Sequence, residues 1–390
     1  MTSMNRDWGW WMRRALREAA RGTGETGPNP LVGALVVRGE ECVGSGYHRR
    51  VGGPHAEVFA LEEAGERANG ADIVVTLEPC SHHGRTGPCA QRIIDAGVRR
   101  VIVGTLDPNP RERGRGVAML RQAGLDVLVG VEERRCRIIN EPYFKFITTG
   151  LPFVTVKFGA SIDGRIGVRD GRSQAVTGAE YRRFVHGLRR DSCAVMVGGR
   201  TAVLDNPQLT VRFARPATRP LRVVIVGSEA PPEGAHLFSD GDAARTIVYH
   251  GASVGRDEEL ARVRRRHQNV GGEWVEVAGD SSGHPLLLDI MQDMGRRGVS
   301  RLLVEGGGRL AGALLREGLV DRWVVGWAPK LLGASATPMV DLGPGESGAW
   351  QFRLESCKRM GEEVVGVYRL GHGYLDLIEF SALDGEEKGN

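Results

Sequence analysis

Short apolar runs alternate with stretches of helical periodicity through the first third of the chain. Residues Asp7 to Arg21 repeat apolar positions at the spacing of an amphipathic helix. The runs Leu31–Val37 and Cys42–Tyr47 are separated by Arg38-Gly39-Glu40, which predicts a β-hairpin. Beyond the hairpin, the pattern predicts helices from His55 towards Gly70 and over Cys89–Ala96, and strands over Ile73–Leu77, Val101–Gly104 and Val127–Val129. This alternation predicts an α/β domain with helices packed on a parallel sheet.

The same alternation resumes after a polar, turn-rich segment, Thr148-Thr149-Gly150-Leu151-Pro152. Strands are predicted over Phe153–Phe158, Val195–Gly198, Arg222–Val226, Thr246–Tyr249, Trp274–Val277 and Arg301–Val304, and helices over Gly178–Arg190, Pro285–Arg296 and Leu310–Glu317. We therefore predict one α/β domain over residues 1–148, a second over 149–372, and a polar C-terminal tail over 373–390.

Composition narrows the class of protein. The 390 residues suffice for two full hydrophobic cores, and no apolar run reaches the roughly eighteen residues of a membrane span. Six cysteines are too few for a disulfide framework in so long a chain. The net charge is only +4, and arginine is spread along the whole chain without a nucleic-acid patch. We expect a cytoplasmic protein that binds neither nucleic acid nor membranes.

One stretch of the first domain carries a candidate metal site. His55, Cys80 and Cys89 offer an imidazole and two thiolates, which are the ligand types that Zn²⁺ takes, and three protein ligands leave a fourth position open. His55 and Cys89 begin predicted helices, where the helix dipole favours thiolate. Glu57 follows His55 by two residues, and a His-x-Glu with a Pro-Cys is typical of zinc nucleobase deaminases.

Two other interpretations of these residues stay open. His82 or His83 would complete a closed structural zinc site, and two cysteines could also be buried core residues. Glu57 argues against both, because a structural site has no use for a carboxylate beside its ligand. In the catalytic interpretation, zinc lowers the pKa of its water to about 7, and Glu57 moves protons between that water, the ring nitrogen and the leaving amine.

The loop that joins the two cysteines supports a family resemblance. It reads Glu78-Pro79-Cys80-Ser81-His82-His83-Gly84-Arg85-Thr86-Gly87-Pro88-Cys89, after Pro28-Asn29-Pro30-Leu31-Val32-Gly33 and before Asp107-Pro108-Asn109-Pro110. Together these segments resemble the bifunctional riboflavin-biosynthesis deaminase/reductase family. The resemblance implies a cytidine-deaminase-like α/β/α domain that acts on 2,5-diamino-6-(5-phosphoribosylamino)pyrimidin-4-one. It also implies that Asn29 and His48 line the base pocket, although His48 could be a surface histidine beside two arginines.

The second domain contains a strand, three glycines and a helix over Arg301–Leu315. Such a segment can bind a phosphate group, or it can be a tight turn without a ligand. Lys157–Arg165, Thr201–Arg212 and Val304–Gly307 are similar to the reductase half of the family, a dihydrofolate-reductase-like α/β domain that uses NADPH. The resemblance implies that NADPH is held by Ala160, Thr201, Asp205 and the segment Gly307–Ala313, including Gly308. It implies that the pyrimidine ribonucleotide is held by Ser173, Arg189, Leu209, Arg212 and Glu305, unless these arginines are ordinary solvated residues.

Two departures from the family pattern lie in this second domain. Ala175 stands where the family usually has Trp, and Val226-Gly227 stand where it often has Asp-Ser. The cofactor site is therefore expected to be altered, and an inactive reductase half in a related pathway is an alternative. A deaminase of nucleic-acid bases and a non-enzymatic zinc scaffold are further alternatives. The resemblance also implies a homo-oligomer, a dimer or a tetramer formed through the second domain.

Overall fold

The structure, a computed structural model, describes residues 7–82, 87–167, 175–213, 219–227, 231–252, 258–280, 283–343, 345 and 348–370, except for the side chain of residue 259. The chain divides into two compact units whose boundary falls between Gly150 and Leu151. The sequence placed this boundary between residues 148 and 149, inside the last turn of the helix Glu141–Thr149. Among the described residues, no helix is long and apolar enough to cross a membrane.

The first unit is one mixed sheet covered by helices. Its helices are α1 Trp8–Ala20, α2 Ala56–Ala64, α3 Cys89–Asp95, α4 Arg115–Gln122, α5 Glu133–Ile139 and α6 Glu141–Thr149. Its strands are β1 Gly33–Arg38, β2 Glu41–Tyr47, β3 Asp72–Val75, β4 Arg100–Val103 and β5 Asp126–Val129, in the order β2-β1-β3-β4-β5. Strands β3, β4 and β5 are parallel as predicted, but β1 runs antiparallel to both of its neighbours. The hairpin prediction is confirmed.

Glycines set how closely the helices of this unit approach the sheet and the metal loop. A Cβ atom at Gly44 or Gly46 of β2 would overlap with backbone carbonyls of α2, namely those of Ala60 and Ala56. A Cβ atom at Gly116, in the first turn of α4, would overlap with the carbonyl oxygen of Pro79. Helix α2 therefore packs with backbone directly against β2, and this contact fixes the position of its first residues.

The second unit is a nine-stranded sheet with helices on both faces. The strands of this sheet are β6 Phe153–Ser161, β8 Ala194–Gly198, β9 Leu221–Val226, β10 Thr246–His250, β11 Glu273–Glu276, β12 Arg301–Glu305, β13 Arg322–Ala328, β15 Phe352–Met360 and β16 Glu363–Leu370, in the order β11-β10-β9-β8-β12-β6-β13-β16-β15. Two short strands, β7 Arg165–Gly167 and β14 Thr337–Pro338, pair separately. The helices are α7 Ala179–Arg190, α8 Gly199–Asp205, α9 His236–Ser239, α10 Glu258–Asn269, α11 Leu287–Arg296 and α12 Gly308–Arg316.

The strands from β11 to β13 are parallel, and β16 and β15 close the sheet as an antiparallel hairpin. The carboxyl ends of β9, β8, β12 and β6 therefore meet at one edge, the usual place for a ligand in an open α/β sheet. Apolar side chains cover both faces, in one cluster around Phe158, Met196 and Leu302 and another around Val195, Val224 and Leu303. The predicted class, two α/β domains, is confirmed.

Candidate active sites

The three predicted metal ligands converge in the first unit. His55 is the residue before α2, Cys89 is the first residue of α3, and Cys80 lies in the loop that follows β3. Their ligand atoms all lie within 4.8 Å of one another, and His55 Nδ1 is 3.2 Å from the Sγ of Cys89 and 3.5 Å from that of Cys80. This donor set fits Zn²⁺ with one open coordination position.

The side chains of Cys80 and Cys89 are joined by a hydrogen bond. A hydrogen bond from Cys89 lowers the pKa of Cys80 to about 4, and the same bond raises the pKa of Cys89. The hydrogen bond to Cys80 also raises the pKa of His55 to about 9. The Cys80 Sγ further accepts the backbone N–H of Cys89 at 3.4 Å. The site therefore already favours one thiolate, and a cation is needed to hold both.

The carboxylate of Glu57 is buried against these ligands. Its side chain is 3% exposed, and within the described part of the chain its Oε2 atom has no hydrogen-bond partner. Burial raises the pKa of Glu57 to about 7. A buried polar atom without a partner is costly, so its retention indicates a ligand or a reactive role. A carboxyl group with this pKa can both accept and return a proton near neutral pH.

Asn29 and His48 lie together beside the metal ligands. The His48 side chain is buried, its Nδ1 is 3.1 Å from the carbonyl oxygen of Pro54, and its Nε2 is 3.2 Å from the Asn29 amide nitrogen. Nδ1–H must donate to the carbonyl, so Nε2 accepts from Asn29. Burial lowers the pKa of His48, which keeps this ring neutral. The His48 ring meets the His55 ring edge-on, with 5.6 Å between centroids, so His48 is not a surface histidine.

Replacing Asn29 with Ala should raise the KM of deamination about tenfold, since the variant loses one hydrogen bond to His48 and any contact with the base. The zinc content should stay unchanged, because Asn29 contacts none of the three ligands directly in the described contacts. Steady-state kinetics and metal analysis would check this. Asn69→Ala, in a turn after α2, is the matched control. A loss of zinc in Asn29→Ala would show that the pair supports the metal rather than the base.

Acidic residues that the sequence did not single out hold the loop of Cys80 in place. Glu112 accepts hydrogen bonds from the backbone N–H of Ser81 at 2.8 Å, from its hydroxyl at 3.0 Å and from His82 Nδ1 at 2.6 Å. His82 therefore faces Glu112 and is outside the metal cluster, and His83 lies outside the described residues. Glu78 accepts backbone N–H groups of Asp107, Gly114 and Val117. The Asp-Pro-Asn-Pro motif was the only sequence signal for this support.

Replacing Glu112 with Ala should weaken zinc retention, because Ser81 and His82 lose their shared acceptor beside Cys80. Outer residues that orient ligands typically contribute ten- to a hundredfold in metal affinity, and we expect a loss of about tenfold. Competition with a chelator that reports free zinc would measure it. The exposed Glu66→Ala should behave as the parent protein. Equal zinc affinity in both variants would contradict the supporting role of Glu112.

A large cavity of about 1250 Å³ lies at the carboxyl edge of the second sheet. Thr201, Asp205, Gly307, Gly308 and Ala313, all predicted to hold the cofactor, line it. Gly306 and Gly307 have φ angles of 68° and 84°, which glycine adopts readily, and helix α12 begins immediately after them. Backbone N–H groups at such a turn can bind a pyrophosphate. The cavity and this turn fit a dinucleotide.

Ala160 does not line this cavity. Its side chain is fully buried in the core of the sheet, in β6, so that only its backbone could reach a cofactor. Likewise, only the backbone of Leu209 could reach the substrate, because the Leu209 side chain is 1% exposed and belongs to the core cluster on the opposite face of the sheet. Leu209 has a φ of 52°, a strained value for a non-glycine residue. Ser173 lies outside the described residues.

The side chains of Arg189 and Glu305 form an ion pair with each other. The guanidinium of Arg189 forms a two-pronged ion pair with Glu305, through Nε to Oε1 and through Nη2 to Oε2 at 3.0 Å. It also donates to the carbonyl oxygen of Thr210 at 3.0 Å, and Lys157 Nζ lies 3.2 Å from Glu305 Oε2. Burial opposes ionisation of Glu305, but Lys157 and Arg189 overcome it and lower its pKa to about 2.

This engagement changes the expected role of Arg189. Its donors are largely used within the protein, so it is better suited to fix Glu305 than to bind a phosphate. Arg212 is exposed and is positioned by Gln208 Oε1 at 2.6 Å and Thr210 Oγ1 at 3.1 Å. Arg212 is therefore the better candidate for the substrate phosphate. The two departures from the family pattern, Ala175 and Gly227, both line the cavity.

Two family descriptions match the chain, one in each unit. Residues 6–105 match the cytidine and deoxycytidylate deaminase zinc-binding region, and residues 152–366 match the RibD C-terminal domain. The riboflavin biosynthesis protein RibD of Escherichia coli is 39% identical over 371 residues, covering 91% of this chain and 97% of that protein. The protein of the same name from Aquifex aeolicus is 38% identical over 356 residues, covering 91% of this chain and 96% of that protein.

Solved structures agree over the whole fold. RibD of Acinetobacter baumannii, form 1, matches with a TM-score of 0.82 at 33% identity, covering 93% of this chain and 99% of that one. A diaminohydroxyphosphoribosylaminopyrimidine deaminase/5-amino-6-(5-phosphoribosylamino)uracil reductase of Thermotoga maritima matches with a TM-score of 0.76 at 30% identity, covering 93% and 98% of the two chains.

The fold and the two sites thus define a bifunctional enzyme, a zinc-dependent deaminase joined in one chain to an NADPH-dependent reductase. The chain belongs to the RibD family of riboflavin biosynthesis proteins. The family resemblance seen in the cysteine loop is confirmed, and so are the two cofactors. Nothing in these matches indicates a nucleic-acid substrate.

Proposed function

We propose that this chain deaminates 2,5-diamino-6-(5-phosphoribosylamino)pyrimidin-4-one and then reduces the product, 5-amino-6-(5-phosphoribosylamino)uracil, to the ribitylamino compound. The observation that carries the proposal is the buried Oε2 atom of Glu57, which has no hydrogen-bond partner among the described residues and lies beside three converging zinc ligands. A structural zinc site would not need this carboxylate. The Thermotoga maritima relative, which carries both activities in its description, supports the choice of substrate.

In the first reaction, the residues of this chain bind the ring and move protons. His55, Cys80 and Cys89 would hold Zn²⁺, which would supply a Lewis acid that lowers the pKa of a bound water molecule. Glu57 would accept the two protons of that water in turn and pass one to the ring nitrogen and one to the departing amine. The oxygen of the water becomes the ring carbonyl, and ammonia leaves. The amide of Asn29, oriented by neutral His48, is placed to hold the base.

In the second reaction, the cavity of the second unit orients the reactants. NADPH bound there would supply the hydride that reduces the ribose C1′ of the open-chain imine form of the substrate. Lys157 lines the cavity, and its Nζ lies 3.2 Å from Glu305 Oε2. We assign Lys157 as the donor of the proton that the imine nitrogen receives. Arg189 holds Glu305 in position through its two-pronged ion pair.

An assay that follows ammonia and the absorbance of NADPH together tests both halves. With the diaminopyrimidine nucleotide alone, we expect ammonia release; with NADPH added, we expect one NADPH oxidised for each ammonia released. Ammonia without NADPH oxidation would favour the alternative in which Ala175 and Gly227 accompany an inactive reductase half. The absence of both signals from zinc-loaded protein would overturn the proposal.

Compartment and assembly remain predictions. We propose that the protein works in a reducing cytoplasm, because its two thiolate ligands must stay unoxidised. We also propose a homo-oligomer, which light scattering of the purified protein would test; a mass of one chain would contradict it. The nucleotide substrate is a small molecule, in agreement with the relatives that the chain matches.

A further inference from the structure

The cavity of the second unit has two chemically different ends. Lys157 and Gly159 of β6 line one end, while Ile225 and Gly227 at the end of β9, together with His284, line the other. The sheet order β9-β8-β12-β6 places the glycine turn after β12 between these ends. A dinucleotide whose pyrophosphate lies at that turn therefore directs one nucleoside towards each end.

The chemistry decides which nucleoside lies at which end, and this step rests on the proposed function. The nicotinamide must meet the substrate, so it belongs at the end where Lys157 contacts Glu305. The adenosine then belongs at the end of Ile225, Gly227 and His284. NADPH differs from NADH only by a phosphate on the 2′ oxygen of the adenosine ribose. Any discrimination between the two cofactors must therefore arise at this second end.

Gly227 and His284 occupy this end as a complementary pair. A Cβ atom at Gly227 would lie 2.9 Å from Cδ2 and 3.4 Å from Nε2 of His284, so the imidazole fills the space that a side chain at residue 227 would use. Asp280 Oδ1 accepts the backbone N–H of His284 at 2.9 Å and lies 3.8 Å from its Nδ1. The ring therefore presents Nδ1 to Asp280 and Nε2 to the end of β9.

An anion bound at this end meets two carboxylates and needs a hydrogen-bond donor. Asp280 and Glu317 both line the cavity, and their carboxylates oppose a phosphate group. Arg316, one of several arginines that line the cavity, donates Nη1 to the carbonyl oxygen of Leu342. His284 is exposed, and its Nδ1 edge faces Asp280. Its Nε2 can donate a hydrogen bond to a phosphate oxygen.

We propose that His284 is the residue that recognises the 2′-phosphate of NADPH in this chain. It supplies the donor that glycine at residue 227 cannot supply, and it can lie where it does only because residue 227 has no side chain. The preference for NADPH over NADH is thus carried by a residue from the segment before α11, rather than by the end of β9.

Binding measured without turnover tests this assignment. NADPH and NADH would be titrated separately into zinc-loaded full-length protein while tryptophan fluorescence is followed, and adenosine 2′,5′-bisphosphate and ADP would be compared by calorimetry. His284→Ala should weaken NADPH and the bisphosphate about tenfold or more, the loss expected for one hydrogen bond to a charged group. Its affinity for NADH and ADP should change less than about twofold. Arg265→Ala, which removes a positive charge from the exposed side of α10, is the control.

A second variant tests the pairing of the two residues. Gly227→Ser should also weaken NADPH, because its Cβ atom displaces the imidazole, and the double variant with His284→Ala should recover part of the lost affinity through the new hydroxyl. Equal binding of NADPH by His284→Ala and the parent protein, or equal weakening of both cofactors, would overturn the assignment. If Arg200→Ala, and not His284→Ala, lost the preference for NADPH over NADH, Arg200 would be the residue that recognises the 2′-phosphate. A parent protein that binds neither cofactor would contradict the proposed reductase function itself.

Discussion

Replacing Glu57 with Gln should reduce the turnover of deamination by at least about a hundredfold, while zinc stays bound. A general acid–base group typically contributes between 10²- and 10⁴-fold to the rate, and glutamine can neither accept nor return the proton. The change is nearly isosteric, so the packing around the fully buried side chain is retained. Ammonia release and metal content, measured on the same preparation, would check both parts of the expectation.

The control for this experiment lies on the same helix. Glu62 is 63% exposed and contacts only Arg92 among its described partners, so Glu62→Gln should keep full activity and full zinc. A Glu57→Gln protein that deaminates at the parent rate would remove the carboxylate from the mechanism. A variant that loses both zinc and activity would show that Glu57 instead supports the metal site.

Replacing Glu305 with Ala should destabilise the second unit by about 3–5 kcal/mol. Removing one partner of a buried ion pair leaves the other charge without compensation, and here both Arg189 and Lys157 would lose their partner. Hydrogen exchange of backbone amides in β12 and β6 would report this loss separately from the first unit. Glu362→Ala is the control, because that carboxylate is 83% exposed and pairs with an exposed arginine. Unchanged exchange in Glu305→Ala would contradict the structural role of the pair.

The same pair predicts an acid-labile contribution to stability. The pKa of Glu305 is about 2 in the folded protein and about 4.3 in an unfolded chain. Between these pH values, the folded state therefore binds fewer protons at this group than the unfolded state does. Its contribution is present above about pH 4.3 and disappears as pH falls towards 2. In Glu305→Gln, which cannot ionise, the fall in stability across this window should be smaller than in the parent protein.

Much of the deaminase site could be predicted from local sequence patterns. The helix starts at His55 and Cys89 and the strand before Cys80 could be predicted from apolar spacing, and parallel strands then bring their ends together. The structure bears out the convergence of the three ligands. By contrast, Arg189 meets Glu305 across 116 residues of sequence, and no local pattern reports that contact. The resemblance therefore placed both residues at a substrate site without revealing that they bind each other.

Some elements could not be predicted from the sequence, and the reasons are physical. Strand β15 is polar and largely exposed, so it lacks the alternation that marks a half-buried strand, and it is held by pairing with β16. Helix α4 has only eight residues, which is too short for helical periodicity to stand out from the sequence. Strand β1 lies between β2 and β3, and its antiparallel pairing with β3 is a contact between distant segments that no local pattern reports.

The close approach of α2 to β2, and of α4 to Pro79, has a consequence for variation in this enzyme. Gly44, Gly46 and Gly116 touch no substrate and donate no ligand, yet each holds a backbone on which His55, Glu57 or Cys80 depends. One added methyl group at any of them would shift a helix or the loop and would be observed as altered zinc affinity. Loss-of-function alleles of the deaminase should therefore accumulate at glycines as well as at the chemically reactive positions.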